Sequence, residues 1–284
     1  MSSPLVVTIL TPDPLDASGG RLVLDAFAHD APEWSPVRWG QIEPDRPWAP
    51  GDEVQAWSPP TGEGADRYVT WRGSGPGRPT TSIKRRTPRE LHSYLAVEVA
   101  PADVEQSHAV ALIRSLSSQL TVDYGAIHVP GPLDLIRPLN PAISLTGNGS
   151  DTGDESSTLT VHVNQLRCYL PDLWWGNIFG PALVELVGRD RLAHAPAEIS
   201  VPLTDDTWYL QVSAGVHDSI TDPDGFETAR ARIKAHLGRD LWWDRNHPEA
   251  SQRYWKAGER PGPPRYRAAT FPQPEMERGG RRAG

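Results

Sequence analysis

Along the chain, the clearest pattern of apolar and polar positions is a strand–helix–strand block in the first half. Residues 91–99 alternate well enough for a half-buried strand. After Pro101, residues 102–120 place Ala109, Leu112, Ile113, Leu116 and Leu120 on one helical stripe, with Arg114, Ser117 and Ser118 opposite. Asp103 and Glu105 fall in the first turn, where acidic groups suit the helix dipole. Residues 122–129 return as a strand. Upstream, residues 4–10 and 21–28 are β-prone runs joined by a Pro/Asp/Gly-rich turn, a hairpin or two adjacent strands. Residues 67–72 read as another strand. The glycine-rich run 73–77 that follows lacks the spacing and ending of a phosphate loop and is a plain turn.

A second block follows a polar run, 146–157, which reads as a flexible loop near the middle of the chain. Residues 198–203 and 207–213 are strands separated by Thr204-Asp205-Asp206, a hairpin signature, and Trp208, Leu210 and Val212 share one face. Residues 225–237 form a helix with Phe226, Ala229, Ile233 and Leu237 as its stripe. Asp224 and Glu227 stand at capping-box spacing and Gly238 is the stop. The predicted fold is therefore α+β: a mixed or mainly antiparallel sheet with helices packed on one side, as two similar strand–helix halves. One domain spans 1–255, interrupted by a Pro/Trp-rich insertion at 30–64. The Gly/Pro/Arg-rich residues 256–284 read as a disordered basic tail.

Composition narrows the function. The 284 residues are 38% hydrophobic and 23% charged, ordinary for a globular protein, but 29 prolines and 11 tryptophans are not. Trp34, Trp39, Trp48 and Trp57 are interleaved with the prolines of 30–64, so that segment is either functional or pinned to the core by its aromatics. If exposed, these four are candidate partner-binding anchors. The net charge of −8 is uneven: residues 256–284 carry seven Lys/Arg and three Asp/Glu, leaving 21 basic and 33 acidic residues in 1–255. An acidic folded part argues against direct nucleic-acid binding; it suits solubility in general and a basic partner in particular. The single cysteine, Cys168, excludes an internal disulfide and reads as a buried structural thiol. With no basic leader and no long apolar run, the expected location is the cytoplasm, with no membrane contact.

The residues present no catalytic or metal motif: no His-Glu-x-x-His, no Cys/His zinc spacing and no Gly-x-Ser-x-Gly. No cofactor and no metal are expected. An enzyme remains the alternative, a hydrolase-like site assembled in space around His128, His162 or His217. His217-Asp218 reads better as loop solvation, and His128 as a hydrogen-bonded strand-end residue.

The most distinctive stretch is 170–192, Leu-Pro-Asp-Leu-Trp-Trp-Gly-Asn-Ile-Phe-Gly-Pro followed by a short helix and Val-Gly-Arg-Asp-Arg-Leu. Physically it is a Trp/Phe-rich strand or turn ending at Gly180, with Pro181 opening a helix that Gly188 ends. Asn177, between Gly176 and Ile178, is placed to satisfy backbone groups around a tight turn. Together with the strand 208–212, this stretch resembles bacterial immunity proteins of polymorphic toxin systems, in particular immunity protein family fifty-two and a type VI secretion immunity family. The resemblance runs over 89–243 and is specific at 169–192 and 207–212. It implies an α+β protein that binds and neutralises a cognate toxin or effector, often a nuclease with a basic groove. It also marks Leu170, Pro171, Trp174, Trp175, Gly176, Asn177, Phe179, Gly180 and Gly188 as family-motif residues with a mainly structural role. The 30–64 region and the tail lie outside the resemblance.

Overall fold

A computed structural model describes residues 3–58, 67–86, 92–100, 106–131, 143–148, 156–161, 170, 172–238 and 241–242. Ten strands form one antiparallel sheet. The first half of the chain supplies β1 (Leu5–Thr11), β2 (Arg38–Gly40), β3 (Arg46–Pro47), β4 (Tyr68–Arg72), β5 (Thr80–Lys84) and β6 (Ser93–Val99). The second half supplies β7 (Tyr124–His128), β10 (Gly176–Phe179), β11 (Ile199–Pro202) and β12 (Trp208–Gln211). The spatial order is β11-β12-β10-β7-β1-β6-β5-β4-β2-β3, so each half of the sequence is contiguous in the sheet and the halves meet where β1 pairs with β7. A separate hairpin joins β8 (Ile143–Asn148) to β9 (Ser156–Val161).

The helices are α1 (Ala17–Asp30), α2 (Asp52–Ala56), α3 (Gln106–Gln119), α4 (Pro181–Val187), α5 (Arg189–Ala193), α6 (Asp218–Thr221) and α7 (Pro223–Leu237). The α+β class and antiparallel sheet expected from sequence are what the structure has. All seven residues of β1 are buried, because the central strand is covered on both faces. Register places Trp71, Val97, Val7 and Ile127 on one face. Phe27 of α1 meets Trp71 edge-on at 5.1 Å. On α3, Ile113 lies within 3.1 Å of where a Cβ on Gly125 would stand. His128 points to the opposite face, paired across from Val6, and stacks there on Phe226 of α7. Both sheet edges end in proline, Pro47 and Pro202, which cannot donate to a further strand and so blunts edge-to-edge pairing.

Four local expectations are corrected. Residues 21–28 are not a strand: Asp16 caps α1 by accepting from the amides of Ser18 at 3.0 Å and Gly19 at 3.3 Å, and Val23, Ala26 and Phe27 then fall on one buried stripe. The β-prone run Leu22-Val23-Leu24 yields to that cap and to tertiary packing. The 30–64 segment is not irregular where described; it forms a 3₁₀ turn (Pro32–Trp34), β2, β3 and α2, while residues 59–64 lie outside the described residues. The polar run 146–157 is strand at its ends, with Thr146 across from Thr158 and Asn148 across from Ser156. The last helix begins earlier than expected. Its cap is Asp222, accepting from the Gly225 amide at 3.1 Å, not Asp224. Of the tail, residues 256–284 lie outside the described residues, as does Cys168.

Candidate functional site

The Trp/Gly-rich stretch 170–188 enters the sheet as β10 and is locked from both sides. Asn177, between Gly176 and Ile178, satisfies backbone groups around a tight turn, as expected of an amide at that position. Its Oδ1 accepts from the Trp174 amide at 2.9 Å, and its Nδ2 donates to the carbonyls of Trp174 at 2.8 Å and Leu210 at 3.2 Å. One fully buried amide thus closes the Trp174–Asn177 turn and ties it to β12. The Trp174 indole donates to the Tyr124 hydroxyl at 2.7 Å, and the Trp175 amide approaches His128 Nδ1 at 3.4 Å. Burial raises the pKa of the Tyr124 phenol far above its ordinary value, and does the same to Tyr209 beneath the Arg114 guanidinium.

Glycines fix the remaining approach. A Cβ on Gly180 would stand 2.0 Å from the Val122 carbonyl oxygen, so only glycine lets this turn touch the chain before β7. Gly188 has φ +94° and ends α4, as its place in the motif predicts. Leu170, Trp174, Trp175, Gly176 and Phe179 are all buried; Pro171 lies outside the described residues.

Behind the motif sits a buried ionic group. Arg230 of α7 is 1% exposed, donates to the Leu173 carbonyl at 3.2 Å, lies 3.8 Å from Asp172 and pairs with Glu227. Lys234 pairs with Asp172 from the next turn. These charges clamp α7 onto the motif strand; a buried arginine held by two carboxylates and a carbonyl is a structural fixture.

The candidate histidines are dispersed in exposure. His128 is fully buried between Trp174 and Phe226. His217 is exposed at the start of α6, while the neighbouring Asp218 carboxylate accepts from the Gly215 amide at 2.9 Å, which is the loop role expected of it. His162 lies outside the described residues. Among the described residues, no group of three or more His, Cys, Asp or Glu is arranged to hold a metal, and no helix is long and apolar enough to cross a membrane.

The 30–64 tryptophans resolve in favour of pinning. Trp34, Trp39 and Trp57 are at most 2% exposed. The Trp34 carbonyl accepts from the Trp71 indole at 3.0 Å, Trp39 donates to Asp52 at 2.9 Å, and Trp57 lies against Gly20, where a Cβ would stand 2.0 Å from its ring. These three are therefore core residues and not exposed anchors. Trp48 alone stays half-buried, edge-on to Trp39 at 5.8 Å. What the pattern did not reveal is that Val37, Ile42 and Val54 are the large hydrophobic side chains exposed in the described part of this segment, at 44%, 67% and 73%. No sequence signal separates an outward valine from a core valine in a stretch without periodicity.

No family model matches the chain, and no curated protein matches it. Among solved structures, it is similar to a Pseudomonas aeruginosa T6SS protein at 12% identity, covering 96% of this chain and 92% of that one, with a TM-score of 0.47. At that level the likeness carries neither fold nor function to this chain.

Proposed function

We propose that this chain is a cytoplasmic immunity protein, one that neutralises a cognate toxin by stoichiometric binding and catalyses nothing itself. The observation that supports this reading best is the use made of the motif that resembles immunity proteins. The Asn177 side chain, the backbone groups it bonds, and Gly176 and Gly180 are engaged within the fold, and none of these is turned outward to a substrate. A motif of that kind builds a scaffold and leaves the surface free to suit a partner. The excess of acid in 1–255 favours a partner with a basic surface, such as a nuclease groove.

The test is co-purification of the full-length protein with its partner from the bacterium that makes it. The partner, expressed alone in a host, is expected to arrest growth, and co-expression of this protein to restore it. A partner that is harmless alone, or toxicity that this protein leaves unchanged, contradicts the proposal.

A further inference from the structure

Resting on that reading, we infer that the basic partner docks on the corner formed by α6, the start of α7 and the start of β11. Charge is divided unevenly between the two ends of the sheet. The described residues of 3–100 hold ten Asp and Glu against nine Lys and Arg, because the six Lys and Arg of 67–86 offset the acid of 3–58. Residues 172–238 hold ten against five, and residues 106–131, between the two ends, one against one. Residues 101–105 and 132–142 lie outside the described residues but adjoin 106–131 in the chain, and they hold three carboxylates and one arginine. Six strand spacings, roughly 29 Å, separate β12 from the basic strand β4, and charges that far apart are screened at physiological salt. The negative field therefore belongs to the β10–β12 end.

Within that end, residues 192–229 carry seven carboxylates and not one Lys or Arg. Four of the seven gather at the corner: Glu198 precedes β11, Asp218 opens α6, Asp222 caps α7 and Asp224 lies in its first turn. The Glu198 amide donates to the Gln211 carbonyl at 3.0 Å, and the Gln211 side chain donates to the Ser213 carbonyl at 2.8 Å, which leads into α6. None of the four carboxylates forms an ion pair among the described residues. Two arginines of the same end are turned onto backbone instead, Arg232 to the Pro196 carbonyl at 3.1 Å and Arg191 to the Leu237 carbonyl at 3.4 Å. Asp218 and Asp222 accept the amides of Gly215 and Gly225, which fixes them without neutralising them.

The corner also has an apolar centre. Ile220 is 36% exposed, the one large hydrophobic side chain so exposed among the described residues of 106–238. An apolar anchor ringed by unpaired charge is the pattern of a protein interface. The charges are spread: among the described residues no three such groups converge on a metal ion, so spaced Lys and Arg side chains match them better than a single cation does. The corner is ordered before any partner arrives. Ser219 donates to the Val129 carbonyl at 2.6 Å, while Gln106 of α3 accepts from the Val216 amide at 3.1 Å and donates to the Ala214 carbonyl at 3.3 Å. A surface held in this way loses little freedom on docking.

The experiment compares two full-length variants that change the net charge equally, both at exposed side chains: Glu198→Lys with Asp224→Lys at the corner, and Glu43→Lys with Asp45→Lys on the β2–β3 turn. Titrated against the co-purified partner at one ionic strength, the corner pair is expected to weaken binding by roughly tenfold or more and the turn pair by less than about threefold. Ile220→Ala is expected to weaken it roughly fivefold. In the complex, a carbodiimide, which joins carboxylates to lysines, is expected to link Glu198, Asp222 or Asp224 to lysines of the partner. Equal losses from the two charge pairs, or no loss from the corner pair, overturn this surface while leaving the binding function intact. Links from the corner only to this chain's own Lys256 give the corner to the basic tail and overturn it too. A chain with which no partner co-purifies removes the binding function, and this surface with it.

Discussion

At the β10–β12 end of the sheet, polar groups turn inward and meet one another; at the β2–β3 end, a few apolar groups turn outward. Asn177, Tyr124, Asp172 and Arg230 are buried and bonded, whereas Val37 and Val54 are exposed against ordinary expectation for valine. The first end is where the residue pattern is most distinctive, and the second is where it lacks periodicity. This difference teaches that a distinctive run of tryptophan, glycine and asparagine can be a set of steric and hydrogen-bonding constraints, while exposed surface is defined only by what the fold leaves uncovered.

Breaking buried contacts at either end should cost stability, whereas changing the exposed valines should cost little. The largest stability losses are expected within the buried sets. Asn177→Ala strips partners from one amide and two carbonyls and should destabilise the chain by about 3 kcal/mol or more, read as a lower denaturant midpoint. Trp39→Ala should cost about 3–5 kcal/mol in the same assay, because Trp39 is core. Gly180→Ala forces a methyl group against the Val122 carbonyl and should cost roughly 3 kcal/mol.

Alkaline pH offers a graded version of the comparison. Tyr124 and Tyr209 stay protonated in the fold well above the pH, about 10, at which they ionise in the unfolded chain. Above that pH the unfolded state binds fewer protons than the folded one, so stability falls as pH rises, by about 1.4 kcal/mol per pH unit for each tyrosine. Tyr124→Phe should lower that slope, as measured by denaturant titrations between pH 9 and about 11.

The smallest stability effects belong to the edge. Trp48→Ala, half-buried, should cost about 1–2 kcal/mol. Val54→Lys should shift stability by no more than about 0.5 kcal/mol. A Val54→Lys chain that unfolds more easily than Asn177→Ala would reverse the assignment of roles.

Much of this was legible in the residues. The stripe of α3 and the hairpin of β11 and β12 followed from periodicity, because each presents one face to a continuous core. The Gly180-Pro181 start and Gly188 stop of α4 followed from backbone chemistry. Helix α1 did not, since Leu22-Val23-Leu24 carries strand propensity and only the Asp16 cap and its contacts decide otherwise. The tryptophans of 30–64 were ambiguous for a related reason. An indole fits a core or an interface equally well, and Gly20, which makes room for Trp57, lies far from it in sequence. The exposed valines had no signature at all.

The account stands most directly on hydrogen exchange of the full-length chain, free and saturated with its co-purified partner. Slowed exchange on binding should appear at exposed surface outside the motif, with 172–180 unchanged. Protection confined to 172–180 would contradict it and make the motif itself the contact surface.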